Sequence, residues 1–242
     1  MQNEKFQNTF YAVLIFALLC GVVVTACYLF SRRYYEQIYV SGDSMYPTLK
    51  GGTISSEGRN HYGKADKSSR TIDSLSRFDV VITYYPKGWT ASDEGSYIIK
   101  RVWGLPGEKI SLTWSENTYT FTAVNPNGGV SVTTGTIDPE EQYVSFTTPD
   151  DVRVSKTFLT CINFHGSFKK RTFQDIQLHN DEYYLMGDNW CVSNDCFGNR
   201  SENNYVSRNY LQGKVVQIEG TAVVDGSGNL VDKKPIKGMY NF

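Results

Sequence analysis

The chain has 242 residues, with 24 Lys and Arg against 25 Asp and Glu, and a net charge of -1. That balance leaves no electrostatic footprint for nucleic acid or for strongly acidic partners, and the length suits one medium domain plus a membrane segment. Five cysteines are too few for a disulfide scaffold and no C-x-x-C pair marks a metal site, while a Cys191–Cys196 bridge and free thiols both stay open.

Residues 1–9 are polar, and residues 10–30 read FYAVLIFALLCGVVVTACYLF without one charge. A run of about twenty apolar residues spans a bilayer as a helix. It is too long for the core of a signal peptide, and large aromatics and Arg32-Arg33 follow it instead of a small-residue cleavage site, so an uncleaved anchor is expected. No later stretch is long enough to span. The positive charges near the span are Lys5 on one side and Arg32 and Arg33 on the other, which by the positive-inside rule weakly favours a cytoplasmic body.

The remainder is rich in Tyr, Phe, Val, Ile and Thr in short runs, which favours strands. Tyr34 to Val40 reads as a short strand leading into Ser41-Gly42-Asp43-Ser44-Met45-Tyr46-Pro47-Thr48. Gly42 permits a tight path and Pro47 stiffens the loop, so the Ser44 hydroxyl is held out on a rigid turn. Most serines in Gly/Pro loops only satisfy turn hydrogen bonds, and this loop alone carries little. Residues 51–76 read as a polar surface excursion.

Strands are expected at 79–85, ended by Pro86, and at 97–103, ended by Gly104-Leu105-Pro106-Gly107. Lys100 shares a strand face with Ile98 and Val102. On a buried face its ammonium is disfavoured, and a neutral amine can take a proton from a serine. The bland alternative is a lysine snorkelling from an edge strand. His61, His165 and His179 show no motif of their own, and no G-x-S-x-G elbow is present. Weaker strands fill 108–180, with turns at Asn125-Pro126-Asn127-Gly128-Gly129 and Pro149-Asp150. Tyr183-Tyr184-Leu185-Met186 leads into the polar turn Gly187-Asp188-Asn189, followed by Ser193 and Asp195. Strands near 213–218 and 221–224 precede a hairpin turn at Asp225-Gly226-Ser227-Gly228. The chain reads as a mainly β fold: 1–9 an N-terminal tail, 10–30 a transmembrane helix, and 31–242 a β-rich ectodomain with a less recognisable β insertion at about 108–180.

Four boxes in this order resemble the bacterial type I signal peptidases. Ser44-Met45-Tyr46-Pro47-Thr48 is similar to the family's S-M-x-P-T box, and Arg77-Phe78-Asp79-Val80-Val81 to its R-G-D-I-V-V strand. Lys100-Arg101-Val102-Trp103-Gly104-Leu105-Pro106-Gly107 resembles K-R-V-x-G-x-P-G, and residues 187–195 resemble G-D-N-x-x-x-S-x-D. The resemblance implies a β-rich ectodomain, a Ser44 nucleophile and a Lys100 general base. It implies that Ser193 orients the lysine amine, that Asp195 supports the site, and that the Ser44 N–H is half of an oxyanion hole. The second donor in some members is a serine where this chain has Gly42. Lysine supplies the base, so no metal or organic cofactor is implied.

Three departures stand out. Phe78 replaces the glycine of the R-G-D box. Cys196-Phe197 replaces the S-R that follows the aspartate, leaving Arg200 as the nearest arginine for Asp195. Gly52-Thr53-Ile54-Ser55-Ser56 is polar where the family's strand is apolar.

The implied partners are the signal peptides of secreted preproteins and the lipid bilayer, with a position near the secretion translocon and no nucleic acid. The alternative is a specialised or catalytically weak relative that serves pilus or surface-protein assembly. A plain β-rich binding module on an anchor would carry four ordered boxes only by chance. Signal-peptide cleavage sites emerge on the outer face, which overrides the weak charge argument. The expected placement is a single-pass protein of the cell membrane with its N-terminus inside and residues 31–242 outside.

Overall fold

The structure, a computed structural model, describes residues 2–51, 58–86, 89, 95–138, 140, 142–148, 157–161, 171–197 and 205–241. It divides into two compact units, Met1–Glu36 and Gln37–Phe242. The first is the helix α1, Gln2–Tyr34. Within it Thr9–Phe30, 22 residues of mean hydropathy 2.7, is long and apolar enough to cross a membrane.

The second unit is almost entirely β. Its first sheet contains eight strands. They are β1 (Tyr35–Tyr39), β2 (Asn60–Asp66), β3 (Val80–Tyr84), β4 (Tyr97–Gly104), β11 (Glu182–Met186), β12 (Val206–Ser207), β13 (Leu211–Val224) and β14 (Leu230–Asn241). The order is β1-β2-β13-β3-β4-β11-β12, and β14 pairs with β13. Six strands lying between β4 and β11 in sequence form the second sheet: β5 (Lys109–Ser115), β6 (Thr118–Val124), β7 (Val130–Asp138), β8 (Tyr143–Thr147), β9 (Thr157–Cys161) and β10 (Phe173–Gln177). Their inward residues alternate with outward ones, as in the buried Tyr119, Phe121 and Ala123 of β6. Aromatic rings from both sheets meet in one core. Trp103 of β4 stacks edge-on against Phe121, Phe146 and Phe158 of the second sheet. A short helix α2, Ser69–Asp73, is capped by the Ser68 side chain.

Two expectations are corrected here. Part of the supposed polar excursion is β2, a strand between β1 and β13 with Asn60, His61, Tyr62, Gly63 and Ala65 buried. Its polar side chains tolerate burial because they are hydrogen-bonded. Asn60 Nδ2 donates to the Val40 carbonyl at 2.7 Å, and His61 Nδ1 accepts from the Lys50 N–H at 3.3 Å. Residues 52–57, noted for their polarity, lie outside the described residues. The second correction is that the two short strands expected near the C-terminus are one, β13, which bends through register shifts while pairing with β2, β3 and β14.

Candidate active site

β4 forms the back of the site. It pairs with β3 from Tyr97 to Arg101, but with β11 only from Arg101 to Gly104. Lys100 therefore stands where β4 passes from an edge unpaired among the described residues to a paired one. Its side chain is 3 % exposed, and Nζ lies 2.8 Å from Ser44 Oγ and donates to the Ile99 carbonyl at 3.1 Å. Burial pulls the amine down from its usual range to about 8; Asp195 and Asp188 push it up, and Arg171 pulls it down.

Ser44 sits in a tight turn in which the Tyr46 N–H donates to the Asp43 carbonyl and the Leu49 N–H to the Met45 carbonyl. Among the described residues the Ser44 N–H makes no hydrogen bond. The Ser44 carbonyl accepts from the Asn189 N–H at 2.9 Å, and Asn189 Nδ2 donates to the Asp43 carbonyl at 3.1 Å. These bonds lock the serine turn to the Gly187-Asp188-Asn189 turn. At Gly187 a Cβ would overlap both Ser193 Oγ and the Ser44 carbonyl, so only glycine permits this approach. Gly42, expected to permit a tight path, stands in open space. A Cβ there meets nothing, whereas one at Gly51 would overlap the Gly42 backbone.

Arg101, next to Lys100 on the opposite strand face, ties the four boxes together. Its Nε and Nη2 donate to Asp188 at 2.8 and 2.5 Å, and Nη1 donates to the Phe78 carbonyl at 2.8 Å. Thr48 Oγ1 donates to the same Asp188 at 2.5 Å. Removing one partner of a buried pair like this costs about 3–5 kcal/mol. Phe78 takes the glycine's place in the R-G-D box and keeps a left-handed backbone, φ 70°. Its ring fills the inter-sheet core against Trp103, Phe121 and Phe158, which offsets the backbone strain.

The fate of the remaining candidates is mixed. Ser193 is buried beside Gly187, and its Oγ finds no hydrogen-bond partner among the described residues, so the structure does not bring it to the Lys100 amine. Asp195 is fully buried and accepts from the Gly187 N–H at 2.9 Å and the Phe197 N–H at 3.1 Å. Arg200, expected as its partner, lies outside the described residues, as does His165. The guanidinium that reaches Asp195 belongs to Arg171, with Nη1 at 3.0 and 2.9 Å from the two carboxylate oxygens. Sequence reasoning missed it because an ion pair across 24 residues leaves no periodic trace. Cys161, Cys191 and Cys196 are not disulfide-bonded, so the Cys191–Cys196 bridge does not form. His61 is committed to the Lys50 backbone, and the His179 N–H donates to Glu182.

Residues 9–218 match the family described as signal peptidase, peptidase S26. The chain belongs to the signal peptidase family. No curated protein matches it. Membership in the signal peptidase family places the chain among serine peptidases, hydrolases that act on signal peptides. The match ends within β13, so β14 lies beyond it.

Proposed function

We propose that this chain is a membrane-anchored endopeptidase that removes N-terminal signal peptides from exported preproteins, with Ser44 as nucleophile and Lys100 as general base. The observation that carries the reading is the 2.8 Å separation of Lys100 Nζ and Ser44 Oγ within a buried site. In the neutral amine the nitrogen lone pair accepts the Ser44 proton as Oγ attacks the scissile carbonyl. The Ser44 N–H donates to the developing oxyanion. The resulting ammonium returns its proton to the leaving amine, and the acyl-enzyme is then hydrolysed by a water that Lys100 deprotonates in turn. Asp195 supports the site by holding the Gly187 N–H, and with it the turn that grips Ser44.

The substrate binds extended against the edge of β4 at residues 98–100, which has no strand beside it on the β11 side among the described residues. Ile98 and Ile99 are half-buried there and offer apolar walls to small side chains near the cleavage site. The apolar helix serves as a single-pass anchor in the cell membrane, with the N-terminus inside and the catalytic unit outside, near the translocon.

The test is incubation of the detergent-solubilised chain with a preprotein bearing an A-x-A site. Cleavage at that site that vanishes in Ser44→Ala supports the reading, and equal cleavage by Ser44→Ala defeats it. Orientation is tested by adding protease to cells stripped of their wall. The catalytic unit should be digested, and its protection until lysis would reverse the placement.

A further inference from the structure

The charges of two buried carboxylates, Asp195 and Asp188, each pull the proton affinity of the buried Lys100 upwards. Asp188 is neutralised from within the strand by Arg101. Asp195 has its counter-charge delivered from elsewhere in the fold. Arg171 enters from the connection between β9 and β10 of the second sheet, is 4 % exposed, and spends its whole fork on one loop. Nη1 grips both Asp195 oxygens, Nε and Nη2 donate to the Trp190 carbonyl at 3.0 and 2.6 Å, and Nη2 also reaches the Ser193 carbonyl at 3.3 Å. The Phe197 ring lies under the guanidinium, 4.8 Å from its carbon. An arginine that closes a loop at Trp190, Ser193 and Asp195 also fixes Gly187, because Asp195 holds the Gly187 N–H.

We propose that Arg171 is a positioning residue of the second sheet that holds the 187–195 loop and cancels the charge of Asp195 beside the Lys100 amine. This rests on the reading of Lys100 as base. The other groups facing Lys100 do not substitute for it. Cys196 is buried with its thiol pushed up, and the neighbouring Tyr184 phenol is pushed up too, so both stay neutral at working pH. Arg101 is already committed to Asp188 and the Phe78 carbonyl. Without Arg171 the Asp195 carboxylate would favour the ammonium further, and the neutral fraction of the base at a given pH would fall. The second sheet is thereby part of the catalytic electrostatics as well as the core.

The experiment is the pH dependence of kcat/KM for preprotein cleavage in wild type, Arg171→Lys, Arg171→Gln, Asp195→Asn and the Arg171→Gln/Asp195→Asn double variant. Arg171→Gln should move the acid-side midpoint up by about half a pH unit or more. Arg171→Lys keeps the charge and should keep the midpoint while the plateau falls. Asp195→Asn should lower the midpoint, and the double variant, with both charges gone, should return close to wild type. An unchanged midpoint in Arg171→Gln overturns the proposal whatever happens to the plateau. Should Arg171→Gln fail to fold, the comparison passes to Asp195→Asn and the double variant, and coincident midpoints there overturn it. Lys100→Met is the control. If it cleaves like wild type, the base assignment itself falls; if it is dead and the midpoints coincide, only the role of Arg171 falls.

Discussion

A lysine whose amine titrates near 8 is about one-tenth neutral at pH 7, and below its pKa that fraction falls about tenfold per unit. The sign for catalysis follows directly. The protonated amine cannot accept the Ser44 proton, so kcat/KM should climb with pH through about 8 and level off above it. Initial rates across pH 6 to 10 check this, and a profile flat across that range would remove Lys100 from the proton transfer. This residue was legible in the sequence because two apolar neighbours on its strand face, Ile98 and Val102, announce burial of a charge. Ser193 was less so. Spacing put its loop beside Ser44, but where its hydroxyl comes to rest is decided by side-chain packing that spacing does not encode. Arg171 was invisible for the opposite reason: its loop position says nothing about a partner reached only after two sheets have packed.

At the scale of elements, the site depends on two turns held edge to edge. The Asn189 N–H bonds the Ser44 carbonyl, and Gly187 leaves no room between them for a side chain. Gly187→Ala should push the serine turn away from Lys100 and lower kcat by about 100-fold or more, since displacements near 1 Å have that effect. Circular dichroism should show the strands retained. Wild-type kcat in this variant would mean that the two turns can part without harm to the site. The strands β3, β4 and β11 were readable because apolar runs ended at Pro86, Gly104 and Gly187. β2 was not, since Asn60-His61-Tyr62-Gly63-Lys64 carries the composition of a loop. Tertiary hydrogen bonds, such as Asn60 to Val40, make those residues affordable in a sheet interior.

At the scale of the whole molecule, stability and activity have separate pH dependences. Burial and the nearby Lys50 pull the His61 imidazole down from 6.5 to about 4. The unfolded chain therefore binds a proton that the folded chain refuses between those values, and stability falls as pH drops through that window, by at most about 1.4 kcal/mol per unit. His61→Asn keeps an acceptor for the Lys50 N–H and removes the titration. Its melting temperature should fall less than that of wild type between pH 7 and pH 5, and equal falls would locate the acid sensitivity elsewhere. The order of the boxes made the family and the mainly β fold readable, whereas the pairing of β13 with three neighbours depends on contacts far apart in sequence. The most direct test of the central claim is cleavage of an A-x-A preprotein by the full chain in lipid vesicles, compared across wild type, Ser44→Ala, Lys100→Met and the double variant. The account predicts product at the signal-peptide site from wild type alone, with the double variant no worse than either single one, because the two side chains act as a unit. Sustained cleavage by Lys100→Met at the same site would contradict it.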